Sequence, residues 1–532
     1  MIPGRSFLLI LTAAAAIFAQ APPPFDTLIR NARVLDGAGN PWFFADVALK
    51  DGRIAAVGRL GPVSARHTVD AKGWTLAPGF IDTHSHAIAG IQTNPSAENL
   101  IRQGVTTVLE GPDGGSPLPL GPFLDRLARL PIAVNYASLA GHNAIRRAVL
   151  GTENRHATPA ELDRMRDLAL EAMHQGAFGL STGLFYVPGN YAPTEEVIHL
   201  ARAIAPLGGI HTSHMRDETS GVVDSVRETI RIGEEGGLPT QVTHHKTIGK
   251  AAWGLSRETI RLVAEARARG VDVTIDQYPY TASSTGIAAL FPQWSLAGGA
   301  KALAERLDAP ESRAKIKAEI VHRILNDRGA GDPKNIVIAS CAHDPALAGQ
   351  SLADLARARK LPPTAENAAG IAIELQQAGG CSAIYHAIHE EDVERILRYP
   401  FTMVASDGGI PSFGVAAPHP RSYGTFARVL ARYVRERRVL TLEDAVRRMT
   451  SLPAQRLNLP DRGLLRPGMR ADLVLFDPAT IQDHATFLDP HHYATGVRSV
   501  WVNGVLTLDE GTMTDQRGGQ VLRGPAFRDT TR

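Results

Sequence analysis

Cysteine is almost absent from this sequence of 532 residues, which contains only Cys341 and Cys381. Two cysteines that lie 40 residues apart cannot form a disulfide framework or a four-thiolate zinc site. One disulfide could form in an oxidising compartment. Two buried free thiols are the arrangement that we expect.

A strong charge of either sign is also missing, because the formal net charge is only +2. Such a chain has no field that would draw it to nucleic acid or to anionic lipid. Aromatic residues make up only 6% and show no interleaving with basic residues that would suggest a single-strand binding groove. With 44% apolar and 21% charged residues, the composition is that of a packed globular protein. We therefore expect small-molecule partners.

Long hydrophobic runs are confined to the first residues. The apolar run 7–19 follows Arg5 and precedes small residues at Ala19 and Ala21. It is too short to span a bilayer but fits the apolar region of a signal peptide over residues 1–21. A retained anchor or a buried N-terminal helix is the alternative. We expect a periplasmic or secreted protein with no stable membrane insertion after cleavage.

The two ends of the chain share a β-rich texture. Residues 22–75 and 460–532 alternate apolar and polar residues between turn dipeptides, among them Asp51-Gly52 and Asn503-Gly504. Such dipeptides between alternating segments are the signature of β-hairpins. The two ends therefore predict one small β-sandwich domain, built from both termini.

Between these ends, short apolar strands alternate with amphipathic helical patterns, which is the rhythm of a parallel sheet. The candidate strands are 75–82, 105–110, 132–140, 178–182, 209–214, 239–244, 271–278 and 402–407. This pattern predicts an α/β fold, a (β/α)8 TIM-like barrel over residues 76–459. The interval of approximately 283–395 is too long for one helix and predicts an inserted subdomain, with a lid over the site as one interpretation.

Six potential metal ligands stand at the carboxyl ends of these candidate strands, namely His84, His86, Glu110, His214, His244 and Asp407. Because a strand has a period of two, His84 and His86 project to the same side. Barrel enzymes build their sites at the carboxyl ends of their strands. Imidazoles and carboxylates are ligands of zinc. The pattern therefore predicts a metal site at this face of the barrel.

The arrangement resembles the amidohydrolase superfamily, and most closely its D-aminoacylase or N-acyl-D-amino-acid deacylase family. The segments that carry the resemblance run in order along the chain: LAPGFIDTHSH, GLSTGLFYVPG, HTSHMRDE, VTHHK, DVTIDQYPYTASST, SDGG, HPRSYGTFARVLARYVRE and DRGLLRPGMRADLVLFDP. The resemblance implies a zinc-dependent enzyme that hydrolyses the amide bond of N-acyl amino acids, with D-amino acids the expected products.

Individual roles follow from the resemblance. His214 and His244 would hold one tightly bound zinc ion, while His84 and His86 would hold a second, weaker one. Asp407 would act as general base and then as proton donor to the leaving amine.

Substrate binding needs a cation for the carboxylate of the amino acid. Arg421 and Lys246 match the positions that the resemblance assigns to this task, and Arg421 could form a bidentate pair. Tyr186 and Tyr278, and less directly Tyr280, match hydroxyl groups that contact the substrate.

The sequence departs from the family pattern at the end of the second strand. D-aminoacylases carry a metal-binding cysteine there, and this chain has Glu110 in GVTTVLEGPDGG. We expect Glu110 to bridge the two metal ions, because its two oxygens can span them. The alternative, seen in related dipeptidases, is that the glutamate binds an amino group of the substrate.

Three functions remain open at this point. The first is deacylation of N-acyl amino acids, and the second is hydrolysis of dipeptides or of cyclic amides such as hydantoins. Arg421 and Lys246 favour a free carboxylate on the substrate, which hydantoins lack. The third is a secreted binding protein without catalysis, and the presence of Asp407 argues against it. The sequence leaves open D- or L-specificity, the acyl and side-chain preference, and the oligomeric state.

Overall fold

The computed structural model describes residues 24–529, so the predicted signal peptide lies outside it. The chain begins with five strands: β1 (Phe25–Val34), β2 (Phe43–Lys50), β3 (Arg53–Gly58), β4 (Ala65–Asp70) and β5 (Thr75–Pro78). The turn between β2 and β3 is made by Asp51 and Gly52, with φ angles of 51° and 72°. Two successive positive φ angles are those of a type I′ hairpin turn, as the sequence predicted.

The chain then enters the barrel. Its first part contains β6 (Phe80–Asp82), β7 (Ser85–His86), α1 (Ile88–Ile91), α2 (Glu98–Ile101), β8 (Val105–Glu110), α3 (Gly121–Leu127), β9 (Asn135–Ser138), β10 (Ala140–Gly141), α4 (His142–Leu150), α5 (Pro159–His174) and β11 (Gly179–Gly183). All residues of β8 and β11 are buried, as expected for parallel strands covered on both faces. Helix α5 begins at a capping box formed by Thr158 and Glu161.

The next strands continue the same alternation, with α6 (Thr194–Ile204), β12 (Ile210–His214), α7 (Val222–Gly236), β13 (Thr240–Val242), α8 (Ser256–Ala268) and β14 (Val273–Gln277). Neighbouring strands from β10 to β14 pair in parallel. The helices between them bury one face against the sheet. The β/α rhythm predicted from the sequence is therefore present.

A subdomain follows β14. It consists of β15 (Ser283–Gly286), α9 (Gly299–Asp308), α10 (Pro310–Asn326), β16 (Ile336–Ser340), α11 (Leu352–Ala358), α12 (Ala365–Gln377) and β17 (Ser382–Tyr385). Its three strands form an antiparallel sheet in the order β15-β17-β16. The subdomain has its own apolar core, which includes Ile287, Phe291, Ile320 and Ile338. The predicted insertion is thus a folded unit.

The two cysteines lie in this subdomain, where Cys341 and Cys381 form a disulfide. The expectation of two free thiols is therefore wrong. Cys341 follows β16 directly and Cys381 precedes β17, and the pairing of these strands brings both residues to the same end of the sheet. The disulfide could not be predicted from the sequence, because a separation of 40 residues does not indicate that the two cysteines are close in space.

The chain returns to the barrel through α13 (Glu390–Arg398), β18 (Thr402–Val404), β19 (Gly408–Gly409), α14 (Arg421–Arg428), a π-helical continuation (Val429–Glu436), α15 (Leu442–Met449) and α16 (Ser451–Arg456). Strand β18 pairs with β14, and β19 pairs with β7. The backbone N–H of Asp407 donates to the carbonyl of His84 at 2.8 Å. These contacts join the eighth barrel strand to the first and close the predicted (β/α)8 barrel.

The chain ends with β20 (Leu473–Phe476), β21 (Val497–Val502), β22 (Val505–Asp509) and β23 (Thr512–Met513). Hydrogen bonds link the strands of both termini into one sheet of order β23-β22-β21-β20-β5-β1-β2-β3, with β4 beside β1. Its own core includes Ile29, Val47, Leu473 and Trp501. Both ends of the chain therefore build one β-domain, as predicted. Among residues 24–529, no helix has the length and apolar composition that crossing a bilayer requires.

Candidate metal centre and substrate cavity

A cavity of about 960 Å³ opens at the carboxyl ends of the barrel strands. Two groups of potential ligands meet at its floor: His84, His86, Asp113 and Asp407 in one, and Asp113, His214 and His244 in the other. Within each group, the candidate ligand atoms all lie within 4.8 Å of one another. Asp113 is common to both groups, so the two sites share a carboxylate.

The carboxylate of Asp113 stands between the four histidines. Its Oδ1 is 3.3 Å from Nε2 of His244, 3.4 Å from Nδ1 of His214 and 3.5 Å from Nε2 of His84. Its Oδ2 is 3.5 Å from Nε2 of His86. A carboxylate can contribute both oxygens to metal ions, which makes Asp113 the candidate bridge.

Three of these residues have a left-handed backbone: φ is 56° at Asp113, 35° at His244 and 49° at Asp407. Residues other than glycine seldom adopt this conformation, and it costs on the order of 1–3 kcal/mol at each position. At the end of a strand, it turns a side chain away from the direction that the strand would give it. The fold therefore maintains strain where the ligand atoms converge.

The donor set fits a metal ion. Nε2 of His84 and Oδ1 of Asp113 are buried and have no hydrogen-bond partner among the described residues. Buried polar atoms almost always have a bonding partner. Two unpartnered atoms that face one another therefore indicate that a shared partner, such as a metal ion, binds between them. Imidazole nitrogen and carboxylate oxygen are ligands that zinc accepts.

Hydrogen bonds behind the floor orient His84. The hydroxyl of Thr243 donates to Oδ2 of Asp276 at 2.8 Å and lies 2.6 Å from Nδ1 of His84. Because Thr243 gives its proton to Asp276, its oxygen accepts the N–H of His84 Nδ1. This assignment leaves Nε2 as the unprotonated nitrogen, which is the form that binds a metal.

Glu110 lies outside both ligand groups, so the prediction that it bridges the metals is wrong. Its Oε2 accepts the backbone N–H of Ile88 at 2.9 Å. Glu110 ends β8, and the next residue, Gly111, has a φ of 79°. This turn carries the chain back over the strand ends, so that Asp113 reaches the histidines. Glu110 still lines the cavity, and burial raises its pKa to about 7.

Asp407 and Arg421 form an ion pair in the cavity wall. Nη1 of Arg421 donates to Oδ2 of Asp407 at 2.7 Å, and both side chains are buried. Burial alone would raise the pKa of Asp407, but Arg421 and the neighbouring histidines outweigh it and hold the pKa well below its usual range. The carboxylate is therefore ionised at neutral pH, as a proton acceptor must be.

Lys246 has a carboxylate partner of its own. Its Nζ forms a buried ion pair with Glu218 and lies 2.7 Å from Nδ1 of His244. Its charge is thus neutralised within the protein. The structure places Lys246 in the cavity wall but does not leave it free for a substrate carboxylate.

The predicted tyrosines lie at different depths. Tyr186 lines the cavity, and its hydroxyl is 3.0 Å from Oγ1 of Thr285. Tyr278 lies between two cations, with its ring 4.9 Å from Cζ of Arg421 and 5.6 Å from Nζ of Lys246. The Tyr278 hydroxyl is buried without a partner among the described residues. Tyr280 instead packs on Arg428, away from the cavity.

Residues 67–508 match the model of the amidohydrolase family. The chain is 39% identical over 522 residues to a D-aminoacylase from Alcaligenes xylosoxydans xylosoxydans, covering 94% of this chain and 98% of that protein. It is 36% identical to an N-acyl-D-aspartate deacylase from the same organism, over 94% of this chain and 96% of that protein. The chain belongs to the amidohydrolase family, in its D-aminoacylase branch.

A solved amidohydrolase structure supports the same assignment. The N-acyl-D-glutamate deacylase from Bordetella bronchiseptica, complexed with zinc and a phosphonate mimic of the tetrahedral intermediate, superposes with a TM-score of 0.81. The two proteins are 37% identical, and the match covers 94% of this chain and 99% of that one. This likeness extends over the barrel, the insertion and the terminal β-domain.

Three residues of this amidohydrolase site escaped the sequence analysis: Asp113, Glu218 and Arg328 all line the cavity. Asp113 follows its strand by three residues and lies between Pro112 and Gly114, a signal that could have marked a turned-back loop. Glu218 lies in the loop between β12 and α7, four residues after His214. Arg328 belongs to the insertion, and nothing in its local sequence relates it to the barrel.

Proposed function

We propose that this protein is a zinc-dependent hydrolase that cleaves the amide bond of N-acyl-D-amino acids into a carboxylate and a free D-amino acid. The observation that carries the proposal is the pair of ligand groups that share Asp113 on the floor of the cavity, one of which includes the ionised Asp407. The similarity to D-aminoacylase along nearly the whole chain supports the substrate class.

Each ligand group would hold one zinc ion. His214, His244 and Asp113 would bind one ion, which we expect to be the tighter, and His84, His86 and Asp407 the weaker one, with Asp113 between them. Zinc supplies Lewis acidity, which polarises a carbonyl group and lowers the pKa of water. The buried unpartnered atoms of His84 and Asp113 support this placement.

Asp407 would move the proton. Its ionised carboxylate accepts the proton of the attacking water and then donates that proton to the nitrogen of the leaving amine. Arg421 keeps Asp407 ionised through the contact at Oδ2. The remaining N–H groups of Arg421 can hold the α-carboxylate of the substrate, because a guanidinium has five donors.

The direct test is purified protein assayed against N-acetyl-D-methionine and N-acetyl-L-methionine, with the zinc content measured on the same sample. We expect hydrolysis of the D-compound, loss of activity on chelation and its return with added zinc. Full activity in protein shown to be metal-free would overturn the mechanism. Preference for the L-compound would overturn the assigned substrate class.

A second candidate is a dipeptidase that acts on aminoacyl-D-amino acids, and Glu110 favours it. Glu110 is a buried carboxyl in the cavity wall, and no cationic side chain of the described chain pairs with it. It could bind the amino group of an aminoacyl substrate. In that case L-alanyl-D-methionine should be hydrolysed faster than N-acetyl-D-methionine, and Glu110→Gln should reverse this order.

Export from the cytoplasm is also a proposal. The apolar segment within residues 1–21 supports it. The disulfide between Cys341 and Cys381 adds support, because disulfides persist mainly in oxidising compartments. N-terminal sequencing of protein recovered from the culture medium or periplasm should find a mature start near residue 20 or 22. Full-length protein confined to the cytoplasm would contradict export.

A further inference from the structure

Three cationic side chains line the cavity: Lys246, Arg328 and Arg421. Two of them have a carboxylate partner within the protein, because Lys246 pairs with Glu218 and Arg421 pairs with Asp407. Arg328 pairs with no carboxylate of the described chain. Within residues 24–529, Arg328 is therefore the lysine or arginine of the cavity lining that forms no ion pair with a carboxylate.

Arg328 is nevertheless buried, with only 3% of its surface exposed. Its guanidinium donates no hydrogen bond to another residue of the described range 24–529 and faces aromatic rings instead. Cζ lies 4.5 Å from the ring centre of Phe185 and 5.5 Å from that of Tyr385. Buried charges in proteins are normally paired, because removal from water is costly.

The two rings hold the guanidinium but do not replace an anion. A cation–π contact contributes about 0.5–2 kcal/mol and occupies none of the five N–H donors of a guanidinium. The planar fork of a guanidinium matches a carboxylate, to which it can donate two parallel hydrogen bonds. A rigid, buried, unpaired fork that faces a cavity is what a site for a carboxylate on a ligand requires.

Arg328 and Arg421 contact different residues of the cavity lining. Arg421 contacts Asp407. Phe185, on which Arg328 stacks, instead lies beside His214, with ring centres 5.8 Å apart. A substrate whose amide lies over the floor can therefore place one anionic group toward each arginine.

We propose that Arg328 binds a second carboxylate of the substrate, so that the preferred substrates are N-acyl-D-amino acids with two carboxylates. The inference rests on the proposed function and narrows its substrate class. The second carboxylate can come from the amino-acid side chain, as in aspartate or glutamate, or from the far end of a dicarboxylic acyl chain. Both sources present the same chemical group to the guanidinium.

Matched substrate pairs test the proposal and separate the two sources. N-acetyl-D-glutamate and N-acetyl-D-glutamine differ only in the side-chain charge, while N-succinyl-D-alanine and N-butyryl-D-alanine differ in the acyl charge. We expect the wild type to favour the acidic member of one pair by about 10- to 100-fold in kcat/KM, as a charged hydrogen bond predicts. The favoured pair identifies the source of the carboxylate.

Variants connect the preference to Arg328. Arg328→Met keeps the length of the side chain and removes the charge, so it should abolish the preference and raise the relative rate on the neutral compound. Arg328→Lys should retain part of the preference. The control is Arg323→Met, because Arg323 donates to the carbonyl of Ala289 at 3.1 Å and does not line the cavity. Its substrate ratio should equal that of the wild type.

The outcomes separate the two proposals. Equal kcat/KM for both members of each pair, in a wild type that hydrolyses them, would overturn the role of Arg328 and leave the deacylase function intact. An acidic preference that survives Arg328→Met would overturn it as well. Calorimetric binding of N-acetyl-D-glutamate that depends on Arg328 but occurs without hydrolysis would keep the subsite and remove the proposed reaction.

Discussion

The floor and the side wall of the cavity are built in different ways. The floor consists of side chains at the ends of barrel strands, where His84, His214 and Asp407 converge on Asp113. One part of the side wall comes from the insertion, which contributes residues 283–285, Arg328 and the paired strand ends Ser340 and Ser382. In the proposed reaction the floor would carry the groups of the chemistry, and the wall would face the variable parts of a substrate.

The two regions also differ in how their charges are balanced. On the floor, each charged group has an opposite charge or an imidazole nearby, and the network is complete except for the atoms that face a metal ion. In the wall contributed by the insertion, Arg328 faces two aromatic rings and forms no ion pair with a carboxylate of residues 24–529. The paired charges of the floor hold its side chains in a fixed arrangement. The unpaired charge of Arg328 in the wall marks a place where a ligand can supply the opposite charge.

The largest effect that we expect comes from the floor. Asp407→Asn keeps the shape of the side chain but removes the proton acceptor, so kcat should fall by about 10²- to 10⁴-fold. Steady-state kinetics with N-acetyl-D-methionine would measure the loss, with zinc content and melting temperature as controls for folding. A kcat within tenfold of the wild type, at unchanged zinc content, would assign the proton transfer to another group.

The second prediction compares two carboxylates that are three residues apart. Asp113→Asn removes the anion between the ligand groups, so the protein should lose zinc, and the ion on His84 and His86 should dissociate first. Glu110→Gln is the matched control and should keep full zinc, since Glu110 lies outside both groups. Metal analysis after dialysis measures both. Zinc loss in Glu110→Gln with retention in Asp113→Asn would restore the bridging role to Glu110.

Regular structure explains what the sequence could predict. His84, His86, His214 and His244 follow from strand ends, because parallel strands of a barrel bring their carboxyl ends to one face. Asp113 could not be placed in this way, since a left-handed turn, not the strand, aims its side chain. The disulfide and Arg328 depend on how the insertion folds back on the barrel, which local periodicity does not encode.

The third prediction concerns the ion pair of Lys246 and Glu218. Lys246→Met would leave Glu218 buried and unpaired, so we expect a loss of about 3–5 kcal/mol in the free energy of unfolding. The double variant Lys246→Met/Glu218→Gln should recover most of that loss, because it leaves no unpaired charge. Thermal denaturation of the two variants and the wild type provides the comparison. If Lys246→Met has the stability of the wild type and only its KM is raised, Lys246 binds the substrate, as predicted from the sequence.

The fourth prediction concerns the wall. Replacing both Cys341 and Cys381 by serine removes a cross-link that closes a loop of 40 residues. Such a loop contributes about 4 kcal/mol in the chain-entropy view, and about 2–4 kcal/mol is typical. The melting temperature should fall, while zinc content should stay at the wild-type value because the floor is separate. Zinc loss in this variant would show that floor and wall are coupled.

The smallest effect that we predict is a pH dependence located behind the floor. His211 is buried between Thr182 and Thr240, with ring nitrogens 3.0 Å and 2.8 Å from their hydroxyl oxygens. Burial lowers its pKa to about 3, from an ordinary value of 6.5. Between these two values the unfolded chain binds a proton that the folded protein does not, so stability must fall as the pH drops below 6.5.

At pH 5 this difference amounts to about 2 kcal/mol. His211→Gln cannot take up that proton, so its melting temperature should change less between pH 8 and pH 5 than that of the wild type. Metal release at low pH affects both proteins, and the difference between them isolates His211. The matched control is His492→Gln, since His492 is exposed and should leave the wild-type pH dependence unaltered. Parallel curves for wild type and His211→Gln would show that acid stability is set elsewhere in the molecule.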